Sequence, residues 1–349
     1  RAWRIEEHGG PDRLLLVDRE APAPGPGEVR VAVRAFALNH LDVWVRRGVP
    51  GHRFPLPLTP SSDGAGVVDA VGPGVTGLAP GDEVLCFPGV SCGRCERCLS
   101  GQDHRCRAYG ILGESTDGLA RELAVLPAVN VHPKPASLSF VEAASFPLSA
   151  LTAWNMLAVR ARVEPGETVL VRAGASGVGV HAIQVARLLG AEVWAEASTA
   201  AKRDLCAGLG AAVVFDPAEG DLAEAVRARS GRRGVEVVVD HVGKATFAGS
   251  LRCLAWGGRY VTCGATTGTD AGLDLAWLFF KGLSLLGSTM GSKGDLLRLA
   301  RLFDRGALRP VVGAVLHGLD RYPEAVALLE ERKAAGKVVV SLEPTGTAA

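Results

Sequence analysis

The stretch RAGASGVGVH, residues 172–181, constrains the fold of this chain more than any other. It joins an apolar run, ETVLVRA, to HAIQVARLLG, in which Ala182, Val185, Ala186 and Leu189 share one helical face. Gly174, Gly177 and Gly179 let the backbone turn sharply and approach a pyrophosphate, while the helix start offers free N–H groups and a positive dipole end. Ser176 and Val178 lie between those glycines and belong to the same candidate phosphate turn. The rhythm then repeats as AEVWAEA, a helix, AAVVF, a helix, VEVVVD, a helix and GRYVTCG. Such alternation predicts an α/β fold, a doubly wound parallel sheet with helices on both faces. In that setting the glycine turn reads as a dinucleotide site.

Upstream the pattern is different. EVRVAVRAF sends Val31 and Val33 one way and Arg30 and Arg34 the other, and it is bracketed by APAPGPGE and VGPGVTGLAPGDE. Short alternating runs between Gly and Pro clusters predict a small, twisted antiparallel barrel. Within this part, VSCGRCERCLSGQDHRC carries Cys92, Cys95, Cys98 and Cys106. Two C-x2-C steps and a longer loop suit one tetrahedral zinc, and four thiolates leave no open position for a substrate, so the metal is structural. The alternative, two disulfides, needs an oxidising compartment. Nothing at the start of the sequence reads as a charged n-region followed by an apolar h-region, and a cytoplasmic setting is expected, with Cys86, Cys206, Cys253 and Cys263 as reduced thiols.

A length of 349 residues with 48% hydrophobic content allows two domains with real cores. Lys and Arg number 38 against 37 Asp and Glu, with no dense basic run, which argues against a nucleic-acid partner. LDLAWLFFKGLSLLG is broken by Asp274 and Lys281, short of the roughly 20 apolar residues of a membrane span. Its Trp277, Phe279 and Phe280 suit an apolar cleft lining, a core or a dimer contact. The final EPTGTAA is expected to fray.

The end of the second strand bears on which dinucleotide binds. An acid there holds the ribose hydroxyls of NAD, whereas small or hydroxylated residues with nearby cations suit the 2′-phosphate of NADP. The stretch is VWAEASTAAKRD, with Ala197 at the acid's position, followed by Ser198, Thr199, Lys202 and Arg203. NADPH is favoured. Glu196 keeps NADH open, since a strand ending one residue earlier would make it the ribose-binding acid.

A cysteine loop inside an N-terminal barrel followed by AGASGVG resembles the medium-chain dehydrogenase/reductase superfamily. PAPGPGEVRVAV, GAGVVDAVGPGVTGLAPGDEV, AASFPLSALTAWNML, VVDHVG and GKVVV occur in the family's order, over nearly the whole chain. The resemblance implies a GroES-like β-barrel catalytic domain at 1–149 with the zinc loop, a Rossmann cofactor domain at 150–288, and a return to the catalytic domain at 289–349. The active site would lie in the cleft. Alcohol dehydrogenases of the family hold a second, catalytic zinc. Here Asn39 in NHLD, Ser62 in SSDGAG and Leu148 in FPLSALTAW stand at its three ligand positions. None offers a thiolate or imidazole. An irregular metal site from His40, Asp42 and Asp63 is the counter-reading.

Without that zinc the chain is similar to the quinone oxidoreductase and enoyl reductase branch, which passes hydride to a quinone or to the β-carbon of an activated double bond. By that likeness Asn39 and His40 lie near the substrate carbonyl and nicotinamide, and Asp42 orients its neighbours. The branch's N-x-x-D-x-Y pattern is altered, with Trp44 in place of the Tyr, so protonation falls to His40 or water. The resemblance also places Thr152 next to the nicotinamide, His241 and Val242 on the adenosine side, and Gly264, Gly287 and Ser288 at the carboxamide. It implies pairing across a two-fold axis at SLLGST, hence a homodimer or homotetramer with a small-molecule substrate. An alcohol dehydrogenase and a cofactor-binding protein without turnover are the alternative functions.

Overall fold

The computed structural model describes residues 1–344; the last five residues of the stretch expected to fray, 345–349, lie outside the described residues. The chain forms two compact units, Arg1–Leu148 with Ser292–Ala349, and Ser149–Gly291.

The first unit is built around β1 (Glu28–Ala37), whose alternation buries Val29, Val31 and Val33 and leaves Arg30 and Arg34 half-buried. α1 (His40–Arg47) follows at once. β2 (Asp63–Val71) pairs antiparallel with β1, Ala37 facing Asp63, and register shifts at Arg30/Val31 and Val33/Ala35 curl the pair. Gly66 is required there: a Cβ would lie 2.2 Å from the Ala32 carbonyl oxygen. β3 (Glu83–Cys86) continues from β2, β4 (Leu123–Pro127) pairs with β1, and β5 (Val131–Pro133) pairs with β3.

In the second unit β6 (Thr168–Val171), α2 (Gly177–Leu188), β7 (Glu192–Glu196), α3 (Ala200–Gly208), β8 (Val213–Phe215), α4 (Leu222–Arg229), β9 (Val235–Val239), α5 (Lys244–Cys253), β10 (Leu254–Thr262) and β11 (Ser284–Gly287) follow in turn. All strand pairs are parallel, in the order β8-β7-β6-β9-β10-β11. This is the doubly wound order that puts the β6–α2 turn at the topological switch point. α2 is buried well beyond the one face its apolar spacing suggested, with Val180, Ala182, Ile183, Val185 and Ala186 all at 0% exposure. Leu275, Phe279 and Phe280 are exposed, while Trp277 packs on the core of this unit, so that apolar stretch divides between surface and interior.

The chain then returns to the first unit through α6 (Lys293–Asp304), β12 (Val312–His317), α7 (Tyr322–Glu330) and β13 (Lys337–Ser341). β13 runs antiparallel to β1, with Val339 opposite Ala37, and the Leu38 N–H donates to the Val338 carbonyl. That register carries Lys337 to the end of β1, where Asn39 immediately precedes α1. No helix among the described residues is long and apolar enough to cross a membrane.

Candidate functional site

Three constellations bear chemistry. In the first unit the four loop cysteines converge, with Sγ–Sγ distances of 3.9 Å for Cys92–Cys98, 3.6 Å for Cys95–Cys98 and 3.5 Å for Cys92–Cys106. All four ligand atoms lie within 4.8 Å of one another, the only such group of His, Cys, Asp or Glu among the described residues. A tetrahedron of bonds about 2.3 Å long has edges of about 3.8 Å, so the spacing fits zinc and is far from the roughly 2.05 Å of a disulfide. The Arg94 and Cys95 N–H groups pull the Cys92 thiol down to about 6, towards the thiolate a metal needs. Asp103 in the same loop accepts from the Lys293 N–H at the start of α6, at 3.1 Å.

The second constellation lies where β1, β2, α1 and β13 meet. The Asn39 N–H donates to Asp42 Oδ2 at 2.7 Å, closing the first turn of α1. Asp42 Oδ1 accepts from the Ser61 N–H at 2.7 Å and from the Tyr322 hydroxyl at 3.2 Å. Asp63, first in β2, accepts through Oδ1 from the Leu148 N–H and through Oδ2 from Asn39 Nδ2, both at 2.8 Å. Lys337 Nζ donates to Asn39 Oδ1 at 2.6 Å and to Asp63 Oδ2 at 3.0 Å. Lys337 is 2% exposed and Asp63 0%.

Asn39 and Asp42 therefore act together, but His40 does not join their net. Its half-buried imidazole packs edge-on to Trp44, with ring centroids 5.3 Å apart. Burial, with Arg332 and Arg47, holds its pKa below the usual imidazole value against the opposing pull of Glu330. Asp42 and Asp63 spend both their carboxylate oxygens on Asn39, Ser61, Tyr322, Leu148 and Lys337, and form no metal-ligand group with His40. Lys337, Tyr322 and Ser61 were not singled out from sequence; a lysine heading the apolar run GKVVV was the available signal.

Burial pushes the Asp42 carboxyl up to about 6 despite the Asn39 and Ser61 N–H groups. Between pH about 4 and about 6 the folded chain then keeps a proton that the unfolded chain, with an ordinary carboxyl, has released. Stability from this group is complete below pH about 4 and lost as pH rises through about 6, by about 3 kcal/mol. Urea unfolding of wild type and Asp42→Asn across pH 4–7, taken as about 3 kcal/mol of expected change in their difference, checks this; a flat difference would mean that the three donors keep Asp42 ionised.

The third constellation is the glycine turn of the second unit. Ser176 caps α2, accepting from the Gly179 N–H at 3.0 Å, and its Oγ lies 2.8 Å from His241 Nε2. A Cβ on Gly179 would lie 2.4 Å from the Ala173 carbonyl oxygen, and one on Gly174 2.9 Å from Cys206 Sγ. Backbone closes position 179 to any side chain, packed side chains crowd position 174, and Val178 sits half-buried between them. The first turn of α2 and His241 thus share one edge of the sheet. The Val242 N–H donates to Asp240 Oδ1, and its carbonyl accepts from Thr266 and Thr267.

Gly264 closes a small turn with Thr262 Oγ1; the Gly287 carbonyl accepts from Arg160 Nε and Ser288 Oγ from Asn155 Nδ2. Thr152 is buried in the helix Pro147–Trp154. β7 does end at Glu196, but its carboxylate is held by Arg172 at 2.5 and 3.2 Å, and Arg172 also donates to Ser250 Oγ at 3.0 Å. Beyond it Ser198 and Thr199 are exposed, Thr199 capping α3 by accepting from the Lys202 N–H, while Arg203 pairs with Asp216 at 2.6 Å. Arg172, which directly follows β6 and precedes the glycines, is another residue that sequence reasoning passed over.

Residues 25–136 match the alcohol dehydrogenase GroES-like domain and residues 177–305 the zinc-binding dehydrogenase family. A solved NAD-dependent alcohol dehydrogenase is 49% identical, with TM-score 0.94, over 98% of this chain and 100% of its own. Quinone oxidoreductase-like protein 2 of Bos taurus is 33% identical over 95% of this chain and 90% of its own length. Acryloyl-coenzyme A reductase of Metallosphaera sedula is 30% identical over 92% and 94%. The chain also matches a polyketide synthase protein of Streptomyces orinoci, NorB, of which it spans 14%.

Proposed function

Because the chain belongs to the medium-chain dehydrogenase/reductase superfamily, and is an oxidoreductase of that group, we propose that it passes hydride from NADPH to a quinone or to the β-carbon of an α,β-unsaturated carbonyl without a metal at the reacting oxygen. The observation that carries this reading is the closed net of Asn39, Asp63 and Lys337, together with the Leu148 N–H. Two of the three positions where the family's alcohol dehydrogenases place zinc ligands, 39 and 148, are joined in it through Asp63, and Ser62 at the third supplies neither thiolate nor imidazole.

Bound nicotinamide supplies the hydride. The Gly177 and Val178 N–H groups, at the positive end of α2, receive the pyrophosphate. Ser198, Thr199 and Lys202 receive the 2′-phosphate, and the commitment of Glu196 to Arg172 favours NADPH over NADH. Thr152, His241, Val242, Gly264, Gly287 and Ser288 line the remainder of the dinucleotide. In the first unit the Asn39 amide donates to the substrate's carbonyl oxygen, where conjugation delivers the developing negative charge. A neutral His40 is a poor acid at pH 7, so the enolate takes its proton from water. Cys92, Cys95, Cys98 and Cys106 hold one structural zinc. Edge strand β11 with exposed Leu285, and exposed Leu275, Phe279 and Phe280 in the segment before it, support a homodimer.

The similarity to a solved NAD-dependent alcohol dehydrogenase favours a second reading, alcohol oxidation with NAD. Elemental analysis of dialysed protein, with NADPH and NADH oxidation on a simple quinone and an enone and with alcohol oxidation alongside, separates the two. One zinc per chain with quinone or enone turnover is expected. Two zincs with alcohol oxidation would overturn the proposal.

A further inference from the structure

The first unit buries a lysine that the hydride chemistry above has not used. Lys337 is 2% exposed and its ammonium is bonded to only two side chains, Asn39 and Asp63. We propose that Lys337 is a positioning residue for the substrate oxygen, which orients the Asn39 amide and polarises it so that one amide N–H is delivered as a charge-assisted donor. This inference rests on the reading that Asn39 meets the substrate's carbonyl oxygen.

The orientation follows from donor and acceptor inventory. An ammonium can only donate, so the amide oxygen of Asn39 must face Lys337, as the 2.6 Å contact has it. A carboxylate can only accept, so the amide nitrogen must face Asp63, at 2.8 Å. Flipping the amide would set donor against donor and acceptor against acceptor, so the partners alone determine which end is nitrogen. Nδ2 carries two hydrogens, and Asp63 takes one. The other is the only donor of Asn39 not spent inside the net, on a residue 9% exposed.

An amide whose oxygen accepts from a cation is polarised towards its nitrogen, and its remaining N–H is a stronger donor than that of a free amide. Two carboxylates share the ammonium: Asp63 is in direct contact and Asp42 lies close enough to feel its field. When negative charge grows on the substrate oxygen, the cation lies one amide away from it, in surroundings that water does not screen. A side chain carried 298 residues along the sequence thereby supplies part of the electrophilic help that a metal gives elsewhere in the superfamily.

The test compares Lys337→Gln, which keeps a donor but removes the charge, with Lys337→Arg, which keeps both, using NADPH and a simple enone and measuring kcat, both KM values, zinc content and thermal midpoint. Lys337→Gln is expected to lower kcat about 30-fold, below the 10²–10³ cost of deleting an oxyanion donor outright, with the KM for NADPH within about twofold. Lys337→Arg is expected to recover most of that loss. A kcat within about threefold of wild type in Lys337→Gln, or an arginine variant no better than the glutamine one, overturns the proposal. If Lys337→Gln does not fold, the charge-neutral double variant Lys337→Gln with Asp63→Asn carries the same expectation and the same threshold. Asn39→Ala separates the two levels: unchanged kcat there sinks the role given to Asn39 and this inference with it, whereas a large loss there beside an unaffected Lys337→Gln sinks only the role of the lysine.

Discussion

Asp63→Ala is expected to destabilise the first unit by about 3–5 kcal/mol, the cost of leaving one partner of a buried ion pair uncompensated. The Lys337 ammonium would keep only the Asn39 carbonyl, and the Leu148 N–H and Asn39 Nδ2 would each lose an acceptor inside a shell that excludes water. Adding Lys337→Met to Asp63→Ala removes the stranded charge and is expected to restore at least about half of the loss, since apolar replacement of a whole buried pair is often neutral. Urea midpoints of the wild type, the single variant and the double variant decide it. A single-variant cost below about 1 kcal/mol would mean that the pair is open to solvent, as exposed pairs of that strength are.

The second large effect concerns the cysteine loop. Cys98→Ser is expected to drop the metal content from one zinc per chain to near zero and to make residues 90–106 a protease site. Sulfurs held 3.5–3.9 Å apart have nothing but a shared cation to keep them there once they ionise, and Gly93 and Gly101 turn the loop at positive φ without packing behind them. Arg94, Arg97 and Arg105 are exposed in that loop. Limited trypsin digestion is expected to cut there at least about tenfold faster in Cys98→Ser than in the wild type, as local opening follows the loss of the clamp. Equal digestion rates, or unchanged zinc content, would remove the loop cysteines from the role of metal clamp.

Much of this architecture is legible in the sequence because its signals are local. The strand-to-helix alternation after residue 166 has a period that a parallel sheet imposes, and the glycine at 179 is demanded by backbone atoms a few residues away. The cysteine spacing is likewise a short-range pattern. The site around Asn39 is only half legible. Asn39 and Asp42 share one turn, so their cooperation can be read off the chain. His40 is adjacent in sequence yet points elsewhere, because it is the first residue of α1 and successive residues of a helix are about 100° apart. Lys337 was illegible as a member of the site, since only the β1–β13 register brings it beside Asn39. Arg172 was hidden differently: Glu196 reads as an open acid until the folded sheet sets a guanidinium across from it.

The pairing of β13 with β1 has a bearing on how the protein is made. Residues 149–291 form their unit from one uninterrupted stretch and have all their strands once that stretch has left the ribosome. The first unit, started earlier, must wait: until β13 arrives, the far edge of β1 at Phe36 and Ala37 has no strand beside it, and Asp63 has no ammonium. The half-finished barrel is therefore a nascent species with an open edge and an unbalanced buried acid, held in that state while the whole cofactor unit is being translated. Codon usage and chaperone supply over the middle of the message would set how long that vulnerable edge stays unguarded.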